Sequence, residues 1–323
     1  MDRRVPKTEI RKIIADICGN QVNITNISFI GGYVNSNYLV KTDSENDGFV
    51  IKLVEPLEFK SWLRFEKSSL SGEADCYKLL REHGIPTLEV IKYSPPGEII
   101  NQEYLVTKYI PYIPFTSMLP NEDCGEKCYE VYGYYVKKMH KIQVGKFGWK
   151  REDNWGEYNS WYDFVCVYTK ELLNKTREYS LYDEHFYCSV NEIIRQNKGA
   201  FDKVVTAHMV HWDLGFGNVL VNKDEKEFSF EAIIDMGRCI FGDPLWDLVD
   251  SSYKPEAFWK GYGCSSKDTV DGIIRLKIYS ILDGIFDAYI SLIRFDNKER
   301  YVRENERVIS SINAILTGMV LKP

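Results

Sequence analysis

Apolar residues recur with helical spacing at Ile10, Ile13, Ile14 and Ile17, and Gly19-Asn20 supplies a stop, so a helix is predicted over Lys7 to Cys18. Three β-like runs come next, Asn26 to Ile30, Asn37 to Thr42 and Gly48 to Val54, and Ser44-Glu45-Asn46-Asp47-Gly48 between the last two reads as a hairpin turn. A helical pattern from about Phe65 to His83 ends at Gly84, with Pro86 beyond it. Strands near Glu89 to Tyr93 and Glu103 to Tyr109 complete a small mixed sheet.

Around Ile110 the pattern changes. Pro111 and Pro114 break regular structure, and the remainder of the chain is mainly helical: Glu122 to Lys141, Ser160 to Tyr179, Phe186 to Gln196, Pro255 to Tyr262, Asp268 to Phe295 and Asn297 to Thr317. Two short strands interrupt the helices, Val219 to Asn222 and Phe228 to Ile234, joined by the charged turn Lys223-Asp224-Glu225-Lys226. There is no internal repeat and no low-complexity tract. The expectation is an α+β fold with an N-terminal segment 1–107, a connecting segment 108–113 and a larger, mainly helical segment 114–323.

Composition narrows the function. At 323 residues, with 44% hydrophobic and 27% charged residues, the chain reads as an ordinary soluble globular protein long enough for two domains. A net charge of −6 argues against a nucleic-acid surface, which needs concentrated Lys and Arg, and leaves room for an acidic cleft that attracts a cationic substrate. The longest apolar region, Ile273 to Ile293, carries Arg275, Lys277, Asp283 and Asp287, so it predicts a buried helix and no membrane span. Met1-Asp2-Arg3-Arg4 leads into a mixed polar stretch with no apolar leader, and eight cysteines are scattered, Cys124 and Cys128 being the only close pair. Reduced thiols and a cytoplasmic location are expected. Oligomeric state is not readable.

The most informative stretch is His211-Trp212-Asp213-Leu214-Gly215-Phe216-Gly217-Asn218, with Ile233-Ile234-Asp235-Met236-Gly237 shortly after it. Phosphoryl transfer by kinases uses an Asp to receive the hydroxyl proton, then an Asn and a second Asp to hold Mg²⁺, in that order. A carboxylate can orient and deprotonate an alcohol, and amide and carboxylate oxygens are hard ligands suited to Mg²⁺. Alone, Asp213 and Asn218 also fit an Asx turn, but few such turns are followed by a hairpin delivering Asp-x-Gly. His211 reads as a loop-fixing residue ahead of a base.

Upstream, Gly31-Gly32-Tyr33-Val34-Asn35-Ser36 sits between strands, where paired glycines let backbone bend over phosphates and Asn35 and Ser36 add short donors; an ordinary hairpin turn fits it as well. Lys52 lies within an apolar strand, where its ammonium needs a partner, and the next helix offers Glu73, with Glu66 as competitor. Downstream, Asp243 precedes Pro244 and Asp247 lies at a helix start; both read as mainly structural, although either could line the substrate side. Tyr129 to Tyr135 and Trp149, Trp155 and Trp161 read as packing.

With these residues in place, the chain resembles the aminoglycoside phosphotransferase and choline kinase-like family of the protein-kinase-like fold. The resemblance runs from Gly31 to the terminal helices and is most specific at His211-x-Asp213-x-x-x-x-Asn218, Ile234-Asp235 and Gly242-Asp243-Pro244. Phe147-Gly148, Trp161-Tyr162-Asp163-Phe164 and the Leu282-Asp283 to Tyr301 region are similar to the hygromycin B phosphotransferase branch. The resemblance implies a two-lobed α+β fold, with a nucleotide-binding N-terminal lobe, a hinge and a catalytic, substrate-binding C-terminal lobe. It implies ATP or GTP as donor, Mg²⁺ as cofactor and a small hydroxylated, cationic acceptor. Asp213 would be the catalytic base, Asn218 and Asp235 the Mg²⁺ ligands, and Lys52, paired with Glu73, the phosphate-binding lysine. Thr107 to Ile110 would be the hinge, with Lys108 and Ile110 meeting the base. Asp243, Asp247, Asp250 and Glu256 form an acidic cluster near the expected cleft. Two departures stand out: Trp212 is bulky where the family often has a small or polar residue, and the Asn218 to Asp235 hairpin is long and charged.

Overall fold

The structure is a computed structural model and describes residues 5–19, 21–32, 35–43, 48–54, 63, 69–114, 125–151, 154–223, 228–249, 254–263 and 266–317. The chain opens with α1 (Lys7–Cys18), β1 (Ile24–Gly31), β2 (Asn35–Thr42), β3 (Gly48–Val54), α2 (Ser69–Glu82), β4 (Val90–Ser94), β5 (Tyr104–Lys108) and β6 (Ile113–Pro114). It continues through α3 (Glu126–Met139), β7 (Gln143–Val144), β8 (Gly148–Arg151), β9 (Asn154–Trp155), α4 (Trp161–Glu178), α5 (Glu184–Gln196), α6 (Lys198–Phe201) and β10 (Ala207–Val210). Last come β11 (Val219–Lys223), β12 (Phe228–Ile233), β13 (Ile240–Gly242), α7 (Glu256–Tyr262), α8 (Val270–Ile293) and α9 (Lys298–Leu316). Most of the expected turns at 44–48 and 223–226, and the expected helix starts before residues 69 and 125, lie outside the described residues.

By its contacts the chain divides into two compact units, and both are discontinuous in sequence. The first comprises Met1–Lys60, Ser68–Val131 and Asp213–Arg238. The second comprises Ser61–Lys67, Tyr132–Trp212 and Cys239–Pro323. One crossing falls inside α3, past the 108–113 segment, and the Asp213–Arg238 stretch returns to the first unit. A non-local pairing explains the return: β11 pairs antiparallel with both β12 and β6.

In the first unit the described strands form a five-stranded sheet ordered β1-β2-β3-β5-β4. Every pairing in it is antiparallel, where the strand pattern predicts a mixed sheet, because β4 takes the outer edge and pairs with β5, leaving β5 beside β3. Ile10, Ile13 and Ile14 of α1 share one buried cluster with Ile27, Tyr38, Val40, Ile51, Leu53 and Val106 of the sheet. Each such side chain contributes roughly 1.5–3 kcal/mol by leaving water. The same alternation that buries Ile51 and Leu53 turns Lys52, between them, to the other face of β3.

The second unit is helical around a small sheet, ordered β7-β10-β13-β8-β9, that the sequence pattern does not reveal. Its core is aromatic: Trp246 stacks on Tyr279 at 4.3 Å between centroids, and the Trp161 indole donates to the Tyr279 hydroxyl at 2.6 Å. Gly242 is required there, since a Cβ at that position would strike the Trp161 ring. Among the described residues no helix is long and apolar enough to cross a membrane. α8 is buried along much of its length, with Arg275 inside it neutralised by Asp243.

Candidate active site

Lys52 is the centre of an ion-pair cluster in the first unit. Its ammonium lies 2.8 and 3.0 Å from the two Glu73 oxygens and 2.7 Å from Oδ1 of Asp235. Burial disfavours the charge on Lys52, but Asp235 and Glu73 outweigh it and raise its pKa above the usual lysine value. Glu73 is also held above its usual pKa, first by burial and then by the negative charge of Asp235, while Lys52 draws it down. Both directions follow from one cation shared by two carboxylates, with Glu73 buried. The pairing expected from the order strand Lys, helix Glu is therefore present; Glu66 lies outside the described residues.

Tyr77, one helical turn after Glu73, completes the cluster. Its hydroxyl donates to Glu73 Oε1 at 2.7 Å and accepts the backbone N–H of Asp235 at 2.8 Å. Asp235 has a positive φ of 63°, a conformation Asp tolerates better than most residues but that still needs holding. Sequence reasoning misses Tyr77. The available signal is its i+4 spacing from Glu73, which looks the same as core packing.

The hairpin β11–β12 brings the other polar groups to this end of the unit. Val219 pairs with Ile233, and the Ile234 N–H donates to Asn218 O at 2.9 Å, which sets Asn218 beside the Ile234-Asp235 backbone. The Asn218 amide N–H₂ donates to the Asp213 carbonyl at 2.8 Å, and the Gly215 N–H donates to the same carbonyl at 2.8 Å. Since the amide nitrogen must face that carbonyl, the Asn218 side-chain oxygen is directed away from it and remains a hard acceptor. The Asp213 carboxylate is half-exposed, with Arg238 Nη1 3.9 Å away, the outer limit of an ion pair.

These groups fit Mg²⁺. Asp235 is half-exposed and shares the Lys52 ammonium with Glu73, so a cation at its carboxylate would relieve negative charge there. Among the described residues no group of three or more His, Cys, Asp or Glu is gathered for a metal. Asn218 and Asp235 would supply one or two protein oxygens to such an ion, phosphate oxygens the others, the usual mode for Mg²⁺.

The glycine turn offers backbone more than side chains. Gly31 and Gly32 both have positive φ, and a Cβ on Gly32 would collide with the Asn35 carbonyl. Asn35 and Ser36 are buried at the start of β2, so they do not present the exposed short donors expected of them. Tyr33 and Val34 lie outside the described residues. At the expected hinge the Lys108 N–H is taken by Glu89 O at 2.9 Å and is not open to a base. Among the described residues the Ile110 N–H has no acceptor, so it can donate.

The acidic cluster expected on the substrate side is corrected in the second unit. Asp247 is buried, and its carboxylate accepts the backbone N–H groups of His211 and Trp212, both at 2.7 Å, and meets His140 Nε2 at 3.0 Å. Burial opposes its charge, but the His140 hydrogen bond and the other donors outweigh this and hold its pKa below the usual carboxylate value. Asp243 is equally buried, bonded to Arg275 Nε at 2.7 Å and Tyr279 OH at 2.8 Å, and caps Leu245 N at 3.2 Å. Their oxygens are used to brace backbone, which is the structural role and not a substrate-facing one. Glu256 is exposed in the first turn of α7, and Asp250 lies outside the described residues.

Asp247 also explains how Trp212 is tolerated. Trp212 has a φ of 62°, a left-handed conformation unfavourable for a bulky side chain. Two short bonds from Asp247 hold the backbone, while the ring is buried against Tyr168 and Trp246 and its indole N–H reaches Asp283 at 3.3 Å. His211 is fully buried, consistent with a loop-fixing role and not with a base that meets substrate.

Hygromycin-B 4-O-kinase of Escherichia coli is 25% identical over 162 residues, covering 47% of this chain and 44% of that protein, so the chain matches under half of that relative's length. A thermostable variant of aminoglycoside phosphotransferase APH(4)-Ia, solved in a ternary complex with AMP-PNP and hygromycin B, superposes with a TM-score of 0.66 at 18% identity, covering 95% of this chain and 98% of the other. A putative fructosamine-3-kinase from Thermobifida fusca reaches a TM-score of 0.66 at 14% identity, again covering 95% and 98%. The fold is thus the α+β, protein-kinase-like fold of the aminoglycoside phosphotransferases. A model of the phosphotransferase enzyme family matches residues 26–262, most of the chain, and the protein belongs to that family.

Proposed function

We propose that this protein transfers the γ-phosphate of ATP or GTP to a hydroxyl of a small, cationic, aminoglycoside-like acceptor. The observation that carries the reading is the Lys52 cluster, with Glu73 on one side and Asp235 on the other, at the end of the hairpin that begins with Asp213 and Asn218. The Gly31-Gly32 backbone and Lys52 bind the nucleotide phosphates, and the Ile110 N–H meets the base. Asn218 and Asp235 hold Mg²⁺, which when bound offsets charge on the phosphate oxygens. Asp213 orients the acceptor hydroxyl and takes its proton as the new O–P bond forms and the bond from the γ-phosphorus to the bridging oxygen breaks, releasing the nucleoside diphosphate. Positioning and charge neutralisation account for most of the rate.

Support for the aminoglycoside acceptor comes from the hygromycin-B 4-O-kinase relative. It does not come from Asp243 and Asp247, whose carboxylates are engaged in internal bonds. A second reading, a sugar-amine acceptor, is favoured by the equal fold similarity to the putative fructosamine-3-kinase. A non-catalytic nucleotide sensor is disfavoured because Lys52, Glu73, Asp213, Asn218 and Asp235 are all present. The test is nucleoside diphosphate release by the purified chain with ATP or GTP and a panel containing hygromycin B, other aminoglycosides and fructosamines. Release stimulated by hygromycin B supports the first reading, and stimulation by fructosamines alone supports the second. Mg–nucleotide binding without transfer to any acceptor supports the sensor.

A further inference from the structure

The second unit contains a cavity of about 430 Å³ that the phosphotransfer reading does not use. That volume falls in the range of small-molecule sites. One side is cationic: Lys137, Lys141 and Lys203 line it, contributed by the end of α3 and by the loop between α6 and β10. Lys141 and Lys203 are exposed and, among the described residues, have no ion pair. The Lys137 ammonium lies 4.7 Å from the centre of the Tyr262 ring, which also lines the cavity.

The acid in the wall does not cancel this charge. Asp243 reaches the cavity but is bound to Arg275 and accepts from Tyr279, so its negative charge is already matched. His208 is held below its usual pKa chiefly by burial, against a hydrogen bond with the His140 backbone and the charge of Asp243 that draw it up, so near neutral pH the lysines supply the positive field. Val204, Val205, Pro244 and Leu245 give the wall an apolar patch, with Thr206 beside it in sequence. In a chain of net charge −6, three lysines converging on one concavity reverse the overall sign.

We propose that this cavity binds an organic phosphate monoester, its phosphoryl group against Lys137, Lys141 and Lys203 and its carbon skeleton against the Val204–Leu245 side. Lysine ammonium groups suit a phosphate dianion as mobile point charges, and the apolar wall and the volume exceed what an inorganic ion needs. The site lies wholly within the second unit, whereas Lys52, Asp213, Asn218 and Asp235 belong to the first.

The test is calorimetric titration of the full chain with phenyl phosphate and, separately, inorganic phosphate, at matched ionic strength. The variants are Lys141→Gln/Lys203→Gln, Lys141→Glu/Lys203→Glu and, as a control for the proposed nucleotide site, Lys52→Met. Lys7→Glu/Lys12→Glu on α1 controls for total charge. Phenyl phosphate is expected to bind more tightly than inorganic phosphate. Its affinity should fall about tenfold or more in the charge-reversed pair and less in the Gln pair, and hold in the α1 control and in Lys52→Met. Unchanged affinity in the charge-reversed pair overturns the proposal, as does loss confined to Lys52→Met or equal binding of the two phosphates.

Discussion

The Tyr77 hydroxyl accepts the backbone N–H of Asp235 at 2.8 Å, across 158 residues of sequence. The same hydroxyl donates to Glu73, so one phenol ties the helix acid that positions Lys52 to the backbone of the proposed metal ligand. Tyr77→Phe keeps the ring and removes only this link. It leaves the Asp235 N–H without this acceptor and takes one of two donors from Glu73 Oε1, which keeps Lys52 at 3.0 Å, and a loss of about 1–3 kcal/mol is expected for the deprived N–H. Turnover should fall with it, through a higher KM for nucleotide as Asp235 loses its held conformation. Melting curves and steady-state kinetics check this; wild-type values in both would contradict the role.

Lys52 and Glu73 should behave as one unit. Lys52→Met leaves Glu73, which is 1% exposed, facing Asp235 without the intervening cation. Breaking a buried pair in this way costs about 3–5 kcal/mol. Adding Glu73→Gln should recover part of that loss, giving a coupling of about 0.5–3 kcal/mol in a double-mutant cycle read by denaturant unfolding. Additive single effects would mean that the pair is not coupled.

Asp247 gives the acid limb of stability a defined sign. Its folded pKa is depressed below 3.8, so the unfolded chain takes up its proton first as pH falls. The stabilisation is therefore complete above the unfolded pKa, near 3.8, and is lost as pH falls through the lower folded value. Asp247→Asn should be less stable than wild type at neutral pH and show a flatter decline on the acid side. Parallel stability curves for the two proteins between neutral pH and about pH 3 would argue against this.

Gly133 tests the packing of α3 independently of chemistry. A helical Gly→Ala change is ordinarily stabilising by about 1 kcal/mol. Here a Cβ would run into the Phe258 carbonyl and crowd the Tyr262 amide, backbone atoms that cannot rotate away. Gly133→Ala should lower Tm, and a raised Tm would show that α3 and α7 are not so closely packed.

Much of the fold and of the site is legible in the sequence because the signals are local. Four isoleucines and a glycine delimit α1, and Lys52 stands out as a charge between apolar neighbours. The order strand Lys, helix Glu, Asp-x-x-x-x-Asn and Asp is also local at each step. The features that escape are decided by distant partners. β7, β10 and β13 are two to four residues long, too short for alternation to register, and they exist through pairing with one another. A carboxylate in a sequence does not reveal whether it faces solvent or backbone, so for Asp243 and Asp247, read as mainly structural, the substrate side stays open until Arg275, Tyr279 and the His211-Trp212 amides are placed beside them. The return of Asp213–Arg238 to the first unit likewise depends on β6, about a hundred residues earlier.

The most direct measurement compares phosphoryl transfer to hygromycin B by wild type and by Asp213→Asn, with the product followed by mass spectrometry. The substitution keeps the side chain's shape and removes the carboxylate proposed to take the hydroxyl proton. Mg–nucleotide affinity should be retained, while kcat falls by about 10²–10⁴. Wild-type turnover by Asp213→Asn on a phosphorylated acceptor would contradict the assignment of this residue and the mechanism built on it.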